Sequence, residues 1–404
     1  MRVAIIGGGA AGFFSAIAVK ENYPGATVVI FEKSKKLLSK VKVSGGGRCN
    51  VTNGCTSVPK LCEAYPRGGK SMKKLFSVFS TNHAMQWFES RGVKLVVQDD
   101  GCVFPVSQNS QTIIDCFLNE ARRLGISIET GRGVKSIVPI DDKLEISFLN
   151  EDAPSETFDK VIVSTGGSPK RSGLNWLEVL GHQLEEPVPS LFSFNMPNQN
   201  ITQLMGIVIE NTLVAIQGTK IKTRGPLLVT HWGMSGPAIL KLSSFGARVL
   251  HQMDYNFAVQ INWVDEPNNE VVMGKLNEIV LENGQKQLAN FRPYALPERL
   301  WSFLLGRTGL PETKKWNELG AKGLNKLVEV LTNDVYRVNG KSTFKEEFVT
   351  CGGISLQSVD LNSMQSKVVR NLYFAGEILD IDAITGGYNL QAAWTTGFIA
   401  GKLL

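Results

Sequence analysis

The sequence predicts an α/β protein in which a Rossmann-like domain is split by an inserted β-rich domain and a helical domain. Three observations predict it. A strand, a glycine turn and a helix open the chain and lead into a second strand at Thr27–Glu32. Around Pro187-Val188-Pro189 the texture shifts to short apolar segments between turn residues, and after Asp265-Glu266-Pro267 it shifts again, to helical periodicity. From Phe344 onward the strand-and-glycine texture of the N-terminal part returns. A domain interrupted by an insertion explains that return better than a linear string of domains. The expected division is 1–188 with 341–404, then 189–267 (β-rich) and 268–340 (helical). A chain of 404 residues has room for two or three domains.

In order along the chain, residues 2–6 form a short buried strand, Gly7 to Gly12 a glycine turn, and Phe13 to Glu21 a helix. With Thr27–Glu32 this is a βαβ unit of about 30 residues. Ser71–Arg91 and Ser110–Leu124 read as helices, with apolar residues three and four apart. Ile126–Glu129, Gly133–Pro139, Leu144–Phe148 and Lys160–Ser164 read as strands. In the insert, strands are expected at Phe192–Met196, Met205–Val208, Thr212–Ile216, Leu227–Thr230 and Tyr255–Trp263. Helices follow at about Glu270–Asn283, Pro297–Leu305 and Leu324–Leu331.

Composition narrows the function. Hydrophobic residues at 43% and charged ones at 20% exclude a disordered chain. The net charge of +6 suits an anionic cofactor, but no dense Lys/Arg stripe accompanies it, which argues against nucleic acid as a partner. Six cysteines at irregular spacing contain no CxxC, and four histidines contain no HxxxH, so no metal site is expected. No apolar run is long enough to span a membrane, and a reduced, cytoplasmic protein is the expectation.

Gly7-Gly8-Gly9-Ala10-Ala11-Gly12 fits GxGxxG between a strand and a helix. Gly7 makes the turn, Gly9 admits a pyrophosphate, and Gly12 lets helix and strand pack closely. The helix N-terminus then faces the phosphates. Glu32 ends the second strand twenty residues after Gly12, where a carboxylate accepts from ribose hydroxyls and repels a 2′-phosphate. FAD or NAD is favoured over NADP. In Ser44-Gly45-Gly46-Gly47-Arg48-Cys49-Asn50 three glycines can turn N–H groups toward an anion, with Arg48 adding charge. Cys49 lacks a neighbouring cysteine, so a backbone role is expected of it. Val161 to Gly167 is a strand ending in glycines. Near the C-terminus Asn371–Glu377 is a strand ending in Gly-Glu, and Gly386-Gly387-Tyr388-Asn389-Leu390-Gln391 opens a helix rich in small residues.

These residues resemble the HI0933-like flavoproteins, also called BaiN-like NAD(P)/FAD-dependent oxidoreductases, over essentially the whole chain. The carrying motifs are Gly7–Gly12, Ser44–Asn53, Gly101–Pro105, Thr165–Gly167, His231–Pro237, Cys351–Gly353, and Gly376-Glu377 through Gly386–Gln391. The resemblance implies a GR-type FAD domain with a bacterial, cytoplasmic setting. It implies Gly7, Gly9, Ala10, Ala11 and Gly12 at the pyrophosphate, Glu32 at the adenosine ribose and Lys33 beside the adenosine. Lys40 and Ser44, Gly45, Gly46, Gly47, Arg48, Cys49 and Asn50 would line the flavin and phosphates. Val134 would meet adenine, and Thr165 and Gly166 the dinucleotide. Gly376 and Glu377 would take the ribityl, and Gly387, Tyr388, Asn389 and Leu390 the isoalloxazine end.

The function expected is an FAD-dependent oxidoreductase acting on a small organic substrate. No second GxGxxG occurs, so NAD(P)H would serve as a transient electron donor, or oxygen as an acceptor. His231, in a loop of the insert, and Tyr388 are the candidate acid/base groups. The alternatives are an RNA-modifying GR-type flavoenzyme and a non-catalytic FAD-binding redox sensor.

Overall fold

The computed structural model describes residues 1–341 and 349–404 and divides into two compact units, residues 1–190 with 344–404 and residues 191–343. The return of texture expected at Phe344 falls outside the described residues. The first described strand beyond it is Val349–Ile354, antiparallel to Leu184–Ser190.

The first unit opens with β1 (Arg2–Ile6), α1 (Ala10–Asn22) and β2 (Thr27–Glu32). Three later strands join them: β3 (Ser127–Thr130), β4 (Lys160–Val163) and β5 (Leu372–Phe374). Together they form a parallel sheet in the order β5-β4-β1-β2-β3, extended beyond β5 by the antiparallel hairpin Val359–Asp360/Gln365–Ser366. The inner strands β1, β4 and β5 are almost uninterrupted apolar runs, as strands covered on both faces must be.

The last helix, α2 (Tyr388–Ala400), lies against α1. Small residues make this possible. A Cβ on Gly401 would lie 2.5 Å from Ala18 Cβ, and one on Gly397 3.0 Å from the Ala11 carbonyl oxygen. Residues from both ends of the chain thus share one sheet and one helix pair. This places the two glycine motifs in the same unit.

The expected single helix Ser71–Arg91 is two helices, Gly69–Phe76 and Thr81–Glu89. Ser80 starts the second one, its backbone N–H donating to His83 Nδ1 at 3.0 Å. Each helix buries its own face, Met72, Leu75 and Phe76 in one and Ala84, Trp87 and Phe88 in the other, with the second set about 120° out of phase with the first at 3.6 residues per turn.

The second unit holds a six-stranded antiparallel sheet. Its order is Phe194–Asn195, Gly233–Ser235, Lys222–Thr230, Val208–Ile216, Asn256–Asn262, Asp334–Asn339. The strand expected at Met205–Val208 is not formed. Asn200–Leu204 is a 3₁₀ turn, and one long strand from Val208 to Ile216 absorbs the next expected segment, with a register shift between Ile209 and Thr212. The division of the insert at 267/268 is corrected as well. Asp334–Asn339, at the far end of the helical stretch, pairs with Asn256–Asn262, and Trp263 Nε1 donates to Asp334 Oδ2 at 3.0 Å. Helices and strands of the insert therefore build one body. Among the described residues no helix is long and apolar enough to cross a membrane.

Candidate cofactor site and active site

The glycine turn after β1 is shaped by contacts that admit no side chain. Gly7 has φ +114°, and its N–H donates to the Phe31 carbonyl at 2.8 Å. A Cβ on Gly12 would overlap the Gly7 carbonyl oxygen and lie 2.9 Å from Ser164 Oγ. Gly9 differs. Its φ is −97°, open to any residue, and a Cβ there meets nothing within 4 Å. Neither backbone conformation nor packing demands glycine at this position, so the open space before α1 is what the glycine preserves. No side chain caps α1, and its first turn (Ala10, Ala11, Gly12) carries no acidic residue. An anion would therefore meet a positive helix end without competition.

The Glu32 carboxylate closes the turn from the other side. Oε2 accepts from Gly8 N–H at 2.8 Å and Oε1 from Ser34 N–H at 2.8 Å. These bonds fix its orientation at the end of β2. Lys33 is exposed beside Gly133, whose Cβ would lie 3.2 Å from Lys33 Cβ, and Val134 begins the next strand. Thr165 is exposed just past β4, and Gly166, at φ +77°, has open space where a Cβ would stand.

Ser44–Gly47 is a tight turn in which Gly45, Gly46 and Gly47 all adopt positive φ. Gly46 and Gly47 again face open space. The turn is braced from within. Ser44 Oγ donates to Val41 O at 2.9 Å, and Arg48 lies over the Phe104 ring at 4.0 Å, with Nε donating to Gly45 O at 3.1 Å. Cys49 is buried at φ +63°, and its N–H donates to Ser44 O at 2.9 Å. Burial pushes its thiol up to about 12, which keeps it protonated and unreactive. Asn50 Oδ1 accepts from Val103 N–H at 3.2 Å.

Lys40, just before this turn, reaches Glu377, just after β5. Lys40 Nζ donates to Glu377 Oε2 at 2.6 Å, and Glu377 Oε1 accepts from Thr350 N–H at 2.8 Å. Gly376 is buried at φ +78°, where a Cβ would lie 2.6 Å from Ala11 Cβ on α1. The two glycine motifs and the Gly-Glu strand end thus converge on the N-terminus of α1.

The entry to α2 is packed tightly. A Cβ on Gly387 would overlap the Thr52 carbonyl oxygen, so this glycine is required by the neighbouring strand whatever else approaches it. Asn389 closes the preceding loop, with Nδ2 donating to Ala383 O and Oδ1 accepting from Ala383 N–H, each at 2.9 Å. Its amide is spent on the loop. Leu390 packs half-buried against the core. Tyr388 is half-buried; its carbonyl accepts from Tyr65 OH at 2.6 Å, and the two rings meet edge-on. Burial pushes the Tyr388 phenol up to about 12, so it keeps its proton at neutral pH. His231 belongs to the second unit, exposed and edge-on to Trp232 with ring centroids 4.4 Å apart. Among the described residues no group of His, Cys, Asp and Glu could hold a metal.

Thr350 and Arg67 are structural contributors that carry no sequence motif, and Thr52 Oγ1 donates to Gln391 Oε1 at 2.6 Å, joining two motifs that neither one's pattern connects. Each acts through a partner remote in the chain, and no local pattern marks such a contact.

A split parallel sheet with an uncapped glycine-turn helix and two further glycine turns defines a dinucleotide-binding oxidoreductase of the flavoprotein type. The chain belongs to the HI0933-like family, matching the HI0933-like protein Rossmann domain over residues 1–403. It is 26% identical over 411 residues to a 3-dehydro-bile acid delta(4,6)-reductase of Clostridium scindens, covering 99% of this chain and 98% of the relative. It is 27% identical over 414 residues to a ribosomal RNA dihydrouridine synthase of Escherichia coli, covering 98% and 96%. Among solved structures it resembles 3-ketosteroid delta1-dehydrogenase of Sterolibacterium denitrificans, with a TM-score of 0.51 at 11% identity, covering 99% of this chain and 98% of that one. That last likeness is one of fold.

Proposed function

We propose that this protein is an FAD-dependent reductase of a carbon–carbon double bond conjugated to a carbonyl group. Three features support FAD: a Cβ on Gly9, Gly46, Gly47 or Gly166 would meet nothing within 4 Å, the Gly8 N–H holds the Glu32 carboxylate at the glycine turn, and Lys40 pairs with Glu377. When bound, FAD supplies two-electron redox chemistry. The names of the two curated relatives describe one transformation, the addition of two hydrogens across a conjugated ring double bond. That shared chemistry carries the proposal.

In such a reduction the β-carbon takes a hydride and the α-carbon a proton. The candidate proton donor in the first unit is Tyr388, a half-buried phenol at the entry to α2. The mild charge favours a small free enone as the substrate. Uridine within ribosomal RNA is the second reading, favoured by the full-length match to the Escherichia coli relative. NADH or NADPH is the proposed electron donor.

The test is anaerobic. The FAD-loaded protein is reduced with NADH or NADPH, then mixed with a 3-keto-4-ene steroid or with unmodified ribosomal RNA, and reoxidation is followed at the flavin band. Reoxidation by either acceptor supports double-bond reduction and identifies the substrate class. A reduced flavin that neither acceptor reoxidises, and that turns over only when air is admitted afterwards, overturns the reading.

A further inference from the structure

We propose that Arg67 is a positioning residue for the loop that enters α2, acting through the buried carboxylate of Asp382. The proposal rests on the reading that this loop faces the cofactor. Arg67 grips both oxygens of Asp382: Nε donates to Oδ1 at 2.6 Å, and the terminal nitrogen donates to Oδ2. Asp382 is fully buried and the Arg67 side chain is only 10% exposed. Ser190 Oγ donates to the same Oδ2 at 2.8 Å.

A carboxylate held this deep is costly unless paired, and a guanidinium fork is the side chain that satisfies both oxygens at once. The pair is the centre of a zipper. Arg67 and Asp382 form an antiparallel bridge, Ile384 N–H donates to Ala64 O at 2.9 Å, and Tyr65 OH donates to Tyr388 O at 2.6 Å. Gly68, at φ +77°, leaves room for Ile381, whose Cγ1 would stand 2.8 Å from a Cβ there. Residues 64–68 therefore line the loop from Ile381 to Tyr388 and fix where Gly386, Gly387 and the first turn of α2 stand. Neither Arg67 nor Tyr65 belongs to a glycine motif.

The test compares Arg67→Lys, Asp382→Asn and Tyr65→Phe with the parent. Lysine keeps the charge but offers a single point instead of a fork. In protein stripped of FAD, amide exchange at residues 384–390 should accelerate at least tenfold in Arg67→Lys, with α1 amides unchanged. In the loaded protein, FAD should dissociate at least tenfold more readily. The ratio of oxidised to reduced flavin at fixed potential should shift about tenfold, equivalent to about 30 mV for a two-electron couple. A folded Arg67→Lys with all three readouts within twofold of the parent overturns the proposal. Should Arg67→Lys and Asp382→Asn fail to fold, Tyr65→Phe, which removes one hydrogen bond, carries the same readouts and the same criterion. Parent protein that cannot take up FAD overturns the cofactor reading, and the exchange measurement then decides the brace by itself.

Discussion

Gly12 stands so close to Gly7 that any Cβ on it would overlap the Gly7 carbonyl oxygen, with Ser164 Oγ 2.9 Å away on the other side. The contact locks α1 onto the turn that precedes it and onto the end of β4. Gly12→Ala must displace backbone, not a flexible side chain. The variant should lose at least ~1–3 kcal/mol of stability, measured by denaturant unfolding. A variant as stable as the parent would show that α1 can slide without cost.

Gly9→Ala should separate binding from folding. Its φ of −97° suits alanine and its Cβ meets nothing within 4 Å. Stability should stay within about 0.5 kcal/mol of the parent, while FAD affinity falls at least tenfold because the methyl group enters the phosphate space. Titration of the stripped protein with FAD checks this, and unchanged affinity would place the pyrophosphate elsewhere.

Tyr388→Phe should slow substrate reduction by ~10²–10⁴ if its phenol gives up the proton. Flavin reduction by NAD(P)H and the flavin spectrum should not change, because the ring stays in place and only the hydroxyl is removed. His231→Ala is the counterpart in the second unit, on an exposed side chain. It should leave FAD affinity unchanged. Stopped-flow measurement of the two half-reactions separates them, and a Tyr388→Phe enzyme with an unaltered oxidative half-reaction would leave His231 as the remaining candidate.

His182 gives the first unit an acid-sensitive point. It is buried, with Nδ1 2.9 Å from Leu177 O and Nε2 2.7 Å from Ser366 Oγ. Burial lowers its pKa below the ordinary 6.5. The unfolded chain thus takes up this proton more readily than the folded one. The stabilising contribution is present above about pH 6.5 and is lost as pH falls through the folded value. Thermal melts between pH 7.5 and 5 should show a decline in the parent that is shallower in His182→Gln. Equal slopes would show that the histidine protonates without leaving its site.

The glycine motifs were legible because their constraint is local. Gly7 needs its positive φ, and Gly12 meets an atom five residues away, so spacing alone reports the turn. Gly387 was legible as a special position, but its cause was not. Thr52, the residue that excludes a side chain there, is remote in sequence. The amide of Asn389 looked free for a ligand, and only the fold shows it closing its own loop. The break at Ser80 was hidden because the helix on each side carries apolar residues three and four apart, although the two sets are about 120° out of phase.

By itself the sequence determined the βαβ opening, the interruption by an insert and the return of the first domain, since apolar period and glycine spacing follow from backbone geometry within a few residues. Only the tertiary structure decided that the insert is one body, through the pairing of Asp334–Asn339 with Asn256–Asn262. It alone decided, too, that Lys40 meets Glu377 and Arg67 meets Asp382. A strand edge or a charged side chain carries no record of its partner. The partner is chosen when burial leaves an unpaired backbone group or charge no cheaper place to go.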